Sequence, residues 1–351
     1  MRLVVAKQAL DQLIEKSRVH LYKPIQIAEI LYRDRVLGDI DVGVLETYRK
    51  QSKGWRDEVS RRLLGRACTS SCRFQDNLFE ANAIPPDKLK ILAEENRAKH
   101  GVVEAYIYNR LGLKHTQLSR AVDYCYSVGC EGFDLRSFLS LFWDTPGLRR
   151  SIDKVYEVVV YSLFSVIVDF LEIKISVTVD EGKLYILDEF ADFSSKVLCL
   201  SKGNRVHTGP ARLYRVGVTN AADRGLDMWA NFGPAIQIKH LALDESLAED
   251  VVQSVAADRI IIVCKTADAA LIVSLVNQLG WKSRVQSVVT EEDLCLWYER
   301  ALHGKFGELL GESLLHILKK ELSSEFPAAN GELHSFILER AYDNFNDIFW
   351  G

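Results

Sequence analysis

Three side chains that suit one phosphate site, Asp227, Gln237 and Lys239, lie within a short stretch in the second half of the chain. Carboxylate and amide oxygens are hard ligands, which Mg²⁺ binds together with waters and a substrate phosphate. An ammonium group beside them would polarise an attacking water or offset the charge that grows on the phosphate oxygens. The combination predicts a centre for phosphodiester hydrolysis with Mg²⁺ as cofactor. Because the pattern is short, an ordinary hairpin with an edge lysine is the alternative.

The relative positions of the three residues follow from strand periodicity. Side chains alternate along a β-strand, so Gln237 and Lys239 point to the same face. The turn 231–233 has a glycine in its third place, as expected of a three-residue hairpin loop with a left-handed residue there. This loop length places Asp227 directly opposite Gln237, with Cβ atoms ~4.5–5.5 Å apart. A loop of two or four residues would turn Asp227 to the other face.

The elements on either side of this hairpin alternate between apolar helices and strands. That order predicts an α/β (α+β) fold with a mixed central sheet flanked by helices. The expected elements are a helix at 155–171, a strand at 172–179, a helix at 245–257, a strand at 259–264, a helix at 269–279 and a strand at 283–289. Glu157, a lone acid in the first helix, has two interpretations: a further catalytic carboxylate that binds the metal, or part of a solvated helix face.

Charge and composition divide the chain near residue 146. The pattern of residues 1–145 is mostly helical, and turn residues follow at 145–147. Residues 1–150 hold 25 Lys and Arg against 19 Asp and Glu, so their charge is 25 − 19 = +6, whereas the whole chain has −4. A polyanion should therefore meet this part first. We predict a basic domain at 1–145 for DNA recognition and dimer formation, and a catalytic domain with C-terminal helices at 146–351.

The basic residues of the first domain concentrate between residues 47 and 73, where Tyr48 and Trp55 lie among them. Guanidinium groups can contact phosphates or donate two hydrogen bonds to a guanine, so this cluster predicts binding of double-stranded DNA. A solvated helix face is the alternative. The candidates are Arg49, Lys50, Lys53, Arg56, Arg61, Arg62, Arg66 and Arg73, together with Arg205 and His207 in a loop before the catalytic strands.

The hairpin resembles the signature of the PD-(D/E)xK nuclease superfamily, whose core is a helix, a three-stranded antiparallel meander, a helix and a strand. Asp227 matches the metal-binding aspartate of that signature, and Lys239 matches its lysine. Gln237 replaces the usual acidic residue, as in the Gln-x-Lys variants, and Leu226 replaces the proline. The resemblance implies a restriction-endonuclease-like core whose metal site has one negative charge fewer than usual.

Longer segments are similar to the HaeII-type type II restriction endonucleases. They are Ala9–Ile14, Val19–Arg35, Phe74–Pro86 and Asn220–Trp229. This resemblance implies a homodimer that cuts the palindrome RGCGCY with Mg²⁺. Two other functions stay open: a nuclease with the same core that acts on modified or structured DNA, and a DNA-binding module that has lost catalysis.

Composition argues against several other classes of protein. No apolar run reaches the ~18 residues of a membrane span, and the N-terminus lacks the apolar segment of a secretory signal, so we expect a cytoplasmic protein with no membrane partner. The seven cysteines are odd in number and scattered, which argues against a disulfide framework. Cys68 with Cys72, and Cys125 with Cys130, lack the spacing of zinc knuckles, so buried thiols are favoured over a zinc site.

Overall fold

The elements of the chain separate into two units, each with its own hydrophobic core, in a computed structural model that describes residues 2–68, 77–216, 226–276, 284–326, 332–345 and 350. The first unit contains Met1–Val158 and Leu318–Gly351, and the second contains Val159–Val216 and Arg224–Ile317. These units differ from the division expected at residues 145 and 146. The first unit continues to Val158, and the C-terminal segment clusters with it rather than with the central sheet.

The N-terminal part of the first unit is helical, as its residue pattern predicts. Its helices are α1 (Arg2–Lys16), α2 (Tyr22–Tyr32), α3 (Gln51–Leu64), α4 (Pro86–Ala98), α5 (Val102–Ser127) and α6 (Leu135–Trp143). In α1 the buried residues Ala6, Leu10 and Ile14 recur at every fourth position and form one stripe against the core. Helix α3 ends at Gly65, whose φ of +69° and N–H bond to the Arg61 carbonyl are those of a helix C-cap.

One long helix, α5, is found where the residue pattern predicts a helix at 102–111 and another at 117–126. Gly112 lies in its interior, where glycine costs only about 1 kcal/mol relative to alanine. The buried residues Leu111, Leu118 and Ala121 continue the apolar stripe across the glycine. Burial of this stripe outweighs the weak helix propensity at one position, so the helix does not break.

The second unit is built on a five-stranded mixed sheet. Strands β3, β4 and β5 form an antiparallel meander, and β6 and β7 continue the sheet in parallel with β5. Because parallel neighbours need crossover connections, α9 joins β5 to β6 and α10 joins β6 to β7. The elements from residue 152 to residue 325, in chain order, are α7 (Ile152–Phe170), β1 (Lys174–Thr178), α8 (Leu184–Glu189), β2 (Val206–Pro210), β3 (Leu213–Arg215), β4 (Met228–Ala230), β5 (Pro234–Leu243), α9 (Glu245–Ser254), β6 (Arg259–Ala267), α10 (Ala269–Val276), β7 (Val285–Thr290), α11 (Glu291–His303) and α12 (Gly307–Glu325). The first unit includes α7 up to Val158 and α12 from Leu318 onwards, and the second unit includes the rest of both helices.

Helix α9 packs against one face of this sheet. Its residues Val251 and Val252 share a core with Ala235 of β5 and with Ile260 and Ile262 of β6. Because side chains alternate along a strand, Ala235 lies on the same face of β5 as the residues two and four positions further on. Gln237 and Lys239 therefore lie on the face of β5 that α9 covers at Ala235.

The strand expected at 172–179 is present as β1, but it lies outside the five-stranded sheet. It pairs antiparallel with β2 in a separate two-stranded sheet. Between β1 and β2 the chain runs through a largely helical stretch at 181–198, which the residue pattern does not predict. The meander begins at β3 instead.

The C-terminal helix α13 (Glu332–Glu339) belongs to the first unit. Side chains of this helix and of the residue after it contact α2 and α5. Arg340 donates hydrogen bonds of 2.7 and 3.0 Å to the two carboxylate oxygens of the buried Glu29 in α2. Phe336 packs on Tyr108 of α5, with ring centroids 4.8 Å apart. A charged pair and an aromatic contact thus hold the end of the chain to its beginning.

None of the helices that the structure describes is long and apolar enough to span a membrane. Each of the six cysteines in the described ranges is a free thiol, and Cys72 lies outside those ranges. The described residues also contain no group of three or more His, Cys, Asp and Glu side chains placed to hold a metal ion.

Candidate active site

The hairpin formed by β4 and β5 has the register that its turn predicts. Met228 pairs with Ile236 and Trp229 with Ala235, so Asp227 comes opposite Gln237. Gly233 has a φ of +120°, a conformation that a residue with a Cβ rarely adopts, and its N–H bonds to the Ala230 carbonyl at 3.0 Å. The expectation of a three-residue turn ending in glycine is confirmed.

Asp227 and Gln237 are in direct contact. The amide Nε2 of Gln237 donates to Asp227 Oδ2 at 2.6 Å, and the backbone N–H of Ile238 donates to the same oxygen at 2.7 Å. Two donors on one oxygen fix the carboxylate against the edge of β5. The sheet therefore positions the acid through both a side chain and the main chain.

Gln237 is 2% exposed, and its Oε1 accepts no hydrogen bond from any residue that the structure describes. A buried carbonyl oxygen without a donor costs about 1–3 kcal/mol, so most proteins provide one. A hard cation satisfies such an oxygen as well as a donor does. Rotation of the amide about its terminal bond would present Oε1 instead of Nε2 to Asp227, and the two oxygens would then be close enough to share one small ion. The donor set of one carboxylate, one amide and solvent fits Mg²⁺, which usually keeps several waters.

Lys239 lies two residues further along β5, on the same face as Gln237, at the point where the strand leaves the core. Residues 234–238 are buried, whereas Lys239 is half-buried, and the pairing of β5 with β6 shifts register between Lys239 and Ala242. Within the described residues, its ammonium group has no hydrogen bond and no ion pair. The lysine is therefore available for an anionic ligand beside Asp227 and Gln237.

Cys264 pairs with Lys239 across β5 and β6, but it does not add a reactive group. The thiol is fully buried, and burial raises the pKa of Cys264 to about 11, with a smaller contribution from Asp293. A thiol of that pKa stays protonated at neutral pH, whereas the thiolate is the nucleophile and metal ligand. The side chains on this face that could take part in catalysis are therefore Asp227, Gln237 and Lys239, which we call the catalytic trio.

Glu157, the fourth predicted catalytic residue, is a buried residue of α7 in the first unit. Both of its carboxylate oxygens accept hydrogen bonds from Lys154 Nζ, at 2.6 and 2.7 Å. Since the catalytic trio belongs to the second unit, a role for Glu157 at the metal stays a prediction.

An aromatic pair that was not among the predicted site residues lies on the same sheet face as Asp227. Tyr214 of β3 and Trp229 of β4 are cross-strand neighbours, and their rings stack with centroids 4.4 Å apart and planes inclined by 18°. Both side chains are exposed. Trp229 follows Asp227 by two residues, so strand periodicity could have placed both side chains on one face. The pattern could not show that Tyr214 of β3 would lie beside Trp229.

The basic cluster of the first unit divides into structural and exposed residues. Arg56 is 1% exposed, and its guanidinium donates to Asp57 at 2.7 Å and to Gln26 at 3.2 Å. Arg62 forms ion pairs with Glu332 and Glu339 of α13. In this conformation both arginines stabilise the fold, so their predicted DNA contacts have no support from their surroundings.

The other candidates are distributed as follows. Arg66 is half-buried against His20 and the Glu325 carbonyl, whereas Lys50 and Arg61 are exposed on or beside α3. Arg49 pairs with Glu46, Lys53 is half-buried, and Arg73 lies outside the described residues. Arg205 and His207 are exposed in the second unit, at and before β2. DNA binding by these residues remains a prediction.

Comparison with known proteins gives the chain its class. A sequence model described as HaeII restriction endonuclease matches residues 6–342. The chain is 54% identical over 340 residues to "Type II restriction enzyme NgoBI" of Neisseria gonorrhoeae, which covers 96% of each protein. It is 52% identical over 345 residues to "Type II restriction enzyme HaeII" of Haemophilus aegyptius, which covers 98% of each. The relatives thus define the class as type II restriction enzymes.

The chain belongs to the HaeII restriction endonuclease family. The resemblance seen in the sequence is therefore confirmed, and the mixed α/β architecture is consistent with a restriction-endonuclease-like fold. No solved structure matches the chain.

Proposed function

We propose that this protein is a type II restriction endonuclease that cuts both strands of double-stranded DNA at the palindrome RGCGCY, with Mg²⁺ bound by the catalytic trio. The observation that supports the proposal best is the pairing of Asp227 with the buried Gln237 at 2.6 Å, beside a lysine with no partner among the described residues. The meander of β3, β4 and β5 followed by α9 and β6 also has the element order of the PD-(D/E)xK core.

Each residue of the catalytic trio has a distinct role in the proposed reaction. Asp227 and Gln237 Oε1 would hold the cation, and the Ile238 N–H keeps the carboxylate in place. Mg²⁺, when bound, supplies Lewis-acid stabilisation of the charge on the phosphate. Lys239 would donate to a nonbridging phosphate oxygen or to the attacking water, and its charge offsets the negative charge that grows as water attacks.

The replacement of an acid by Gln237 changes the charge balance of the site. One carboxylate and one lysine have a net charge of zero, whereas two carboxylates and a lysine would have −1. We expect a weaker cation affinity than an all-acidic site has, and a site that is easier for a phosphate to approach before the cation binds. Glu157 is the proposed additional acid if the site needs a second one.

Digestion of plasmid DNA tests the cleavage reaction and its target. Unmethylated plasmid should give discrete fragments whose sequenced ends all map to RGCGCY, and methylated plasmid should be protected. Smears or random ends would contradict a site-specific enzyme, and cutting only of methylated or branched DNA would favour the related nuclease that acts on modified or structured DNA.

Titration calorimetry with Mn²⁺ or Ca²⁺ distinguishes an active centre from a DNA-binding module without catalysis. The parent protein should bind the cation, and Asp227→Ala should abolish the heat of binding. Asp258→Ala, which removes an exposed aspartate elsewhere in the second unit, is the matched control and should bind as the parent does. Equal binding by Asp227→Ala and the parent would place the cation elsewhere.

A further inference from the structure

The aromatic pair, Tyr214 and Trp229, forms an exposed surface on the sheet. The two side chains are 40% and 42% exposed, whereas their strand neighbours Leu213, Met228 and Ala230 are buried on the other face. With about 200 Å² for a fully exposed aromatic side chain, the stacked rings leave about 160 Å² open to solvent. The solvated face of an antiparallel hairpin is usually polar, so two stacked rings there indicate a surface that binds a ligand.

The aromatic pair lies directly beside the catalytic trio. Trp229 is two residues beyond Asp227, which places their Cα atoms about 7 Å apart along the strand. Across the hairpin, Trp229 pairs with Ala235 of β5. Gln237 and Lys239 follow Ala235 on the same face of that strand. A nucleotide attached to a phosphate at the catalytic trio would therefore lie within reach of the rings.

Arg212 adds a positive charge on the far side of the aromatic pair. It precedes Tyr214 by two residues and is likewise exposed, whereas Leu213 between them is buried. The Arg212 backbone N–H donates to Asn231 Oδ1 at 2.7 Å, and the Asn231 N–H donates to the Arg212 carbonyl at 3.1 Å. The main chain of Arg212 is thus fixed to the turn. Among the described residues its guanidinium has no hydrogen bond and no ion pair, so it is available for an anion.

We propose that the aromatic pair holds the nucleotide next to the scissile phosphate, with Trp229 against its base or deoxyribose and Arg212 on a neighbouring phosphate. This inference rests on the proposed function, which places a DNA phosphodiester at the catalytic trio. Aromatic rings stack on the flat face of any base, and a guanidinium binds phosphate oxygens. Contacts beyond the scissile phosphate keep it in position for attack, so the aromatic pair and Arg212 would position the substrate.

The charge of the segment that contains β2 and β3 favours nucleic acid over an uncharged apolar partner. Residues 203–216 contain three Arg and no Lys, Asp or Glu, so the charge of the segment is +3 with neutral histidine. Polyanions are drawn to such a segment. A nucleotide combines a negative charge with a flat apolar face, and these are the two properties that Arg212 and the aromatic pair complement.

The fluorescence of Trp229 and the DNA affinity of its variants test this contact without requiring cleavage. The chain has six tryptophans, so the Trp229 signal is the difference between the parent and Trp229→Phe. A duplex with one RGCGCY site, added in Ca²⁺, should quench that difference signal. Trp229→Ala should bind the duplex about 5- to 150-fold more weakly than the parent, the loss expected from removing one stacking contact. Trp229→Phe, which keeps a ring, should recover most of this affinity.

Two further variants and a cation titration separate a substrate contact from a structural role. Tyr185→Ala removes another exposed aromatic side chain of the second unit and should bind DNA as the parent does. Trp229→Ala should bind Mn²⁺ with the parental heat, because the catalytic trio stays intact. Arg212→Ala, at an exposed position, should weaken DNA binding and lower the slope of its salt dependence by about one.

Duplexes with one abasic nucleotide, placed at each position of the site in turn, distinguish the base from the deoxyribose. If Trp229 stacks on a base, one position should weaken binding by the parent but not by Trp229→Ala. If it contacts a deoxyribose, Trp229→Ala should lose the same factor on every duplex.

The outcomes separate this inference from the proposed function. A parent that cuts DNA with an unquenched Trp229 signal, and a Trp229→Ala variant with parental affinity, would overturn the inference alone. Quenching by a duplex that is never cut would refute only the cleavage reaction, and a parent that binds no duplex would contradict both. If Trp229→Ala keeps its DNA affinity but changes the sedimentation of the DNA-free protein, another protein chain covers the aromatic pair and the inference is wrong.

Discussion

Replacing Gln237 with glutamate tests the geometry of the catalytic trio, because it places two carboxylates where the structure has an acid and an amide in contact. At a separation of 2.6 Å and an effective dielectric constant of about 20, two unit charges repel by about 6 kcal/mol. Protonating one carboxyl at pH 7 costs less, about 1.36 kcal/mol for each of the ~2.7 pH units above its ordinary pKa, or about 4 kcal/mol. Because protonation costs less than the repulsion between two carboxylates, we expect the introduced Gln237→Glu side chain to take up a proton. The free energy of unfolding should then fall by about 4 kcal/mol.

The sign of the pH dependence follows from the same comparison. The introduced carboxyl has a folded pKa above its unfolded value of ~4.3, so the folded state binds the extra proton at intermediate pH. The stability of Gln237→Glu relative to the parent should therefore fall by about 1.4 kcal/mol for each pH unit between pH 5 and pH 7. At lower pH, where both states are protonated, the difference should disappear.

Thermal unfolding in EDTA and in saturating Mg²⁺ measures both effects. In EDTA at pH 7, about 4 kcal/mol should lower the melting temperature of Gln237→Glu by about 8–16 °C. Mg²⁺ should raise it much more than it raises that of the parent, because the cation replaces the proton between the two acids. Gln237→Met has a side chain of similar length but no oxygen that could bind the cation. Its melting temperature should be the same with Mg²⁺ as without it, unlike that of the parent. A Gln237→Glu variant as stable as the parent in EDTA at pH 7 would refute the assigned contact.

Three further predictions concern the first unit. Arg56→Ala should lower the free energy of unfolding by about 2–4 kcal/mol, because it empties the space of a buried side chain and leaves the buried Gln26 carbonyl without that donor. The exposed Arg61→Ala should leave the free energy of unfolding within ~0.5 kcal/mol and instead weaken DNA binding and its dependence on salt; urea denaturation and DNA titrations at several salt concentrations measure both. Arg340→Ala should cost about 3–5 kcal/mol, since the buried Glu29 would lose its cationic partner and have to remain unpaired or take up a proton. Limited proteolysis should then release the C-terminal segment, unlike in Arg340→Lys; an intact segment would argue against the pairing. Burial lowers the pKa of His115 from 6.5 to about 4, so the unfolded state binds more protons than the folded state between these two pH values. The free energy of unfolding should therefore fall as the pH drops from 6.5 to 4. His115→Gln should make that fall less steep, and an unchanged pH profile would contradict the burial of a neutral imidazole.

The parts of the site that depend on local rules could be predicted from the sequence. Gly233 in the third place of the turn determines the loop length, and period-two alternation then places Asp227 opposite Gln237, as the structure confirms. The stripe of Ala6, Leu10 and Ile14 likewise predicts α1 without tertiary information. Local geometry and hydrophobic spacing were sufficient in both cases.

The parts that depend on distant partners could not be predicted. Arg56 and Arg61 are alike in sequence, and only the position of Gln26 and Asp57 shows that the first is buried and paired. Arg340 and Glu29 are separated by 311 residues, so no pattern near either one indicates their contact.

A helical hydrophobic pattern has a related ambiguity. It shows that one face is apolar but not what covers that face. In the stretch at 181–198 apolar side chains such as Ile186, Phe190 and Val197 are exposed, and the largely helical structure there is interrupted at Phe190. Short, interrupted helices are weakly encoded by periodicity, since most of their stability comes from packing. For β1, the alternation of residues indicates a strand but not its partner, so the strand was expected in the central sheet and pairs with β2 instead.

The cleavage rate of Lys239→Ala, measured under single-turnover conditions with saturating enzyme, tests the central claim most directly. DNA affinity is measured beside it in Ca²⁺, and Lys265→Ala, on the opposite face of the neighbouring strand β6, is the matched control. We predict that Lys239→Ala cuts at least about a thousandfold more slowly than the parent and binds DNA with nearly the same affinity, while the control cuts normally. Cutting by Lys239→Ala at the parental rate would contradict the account, because the ammonium group beside Asp227 and Gln237 would then have no part in the reaction.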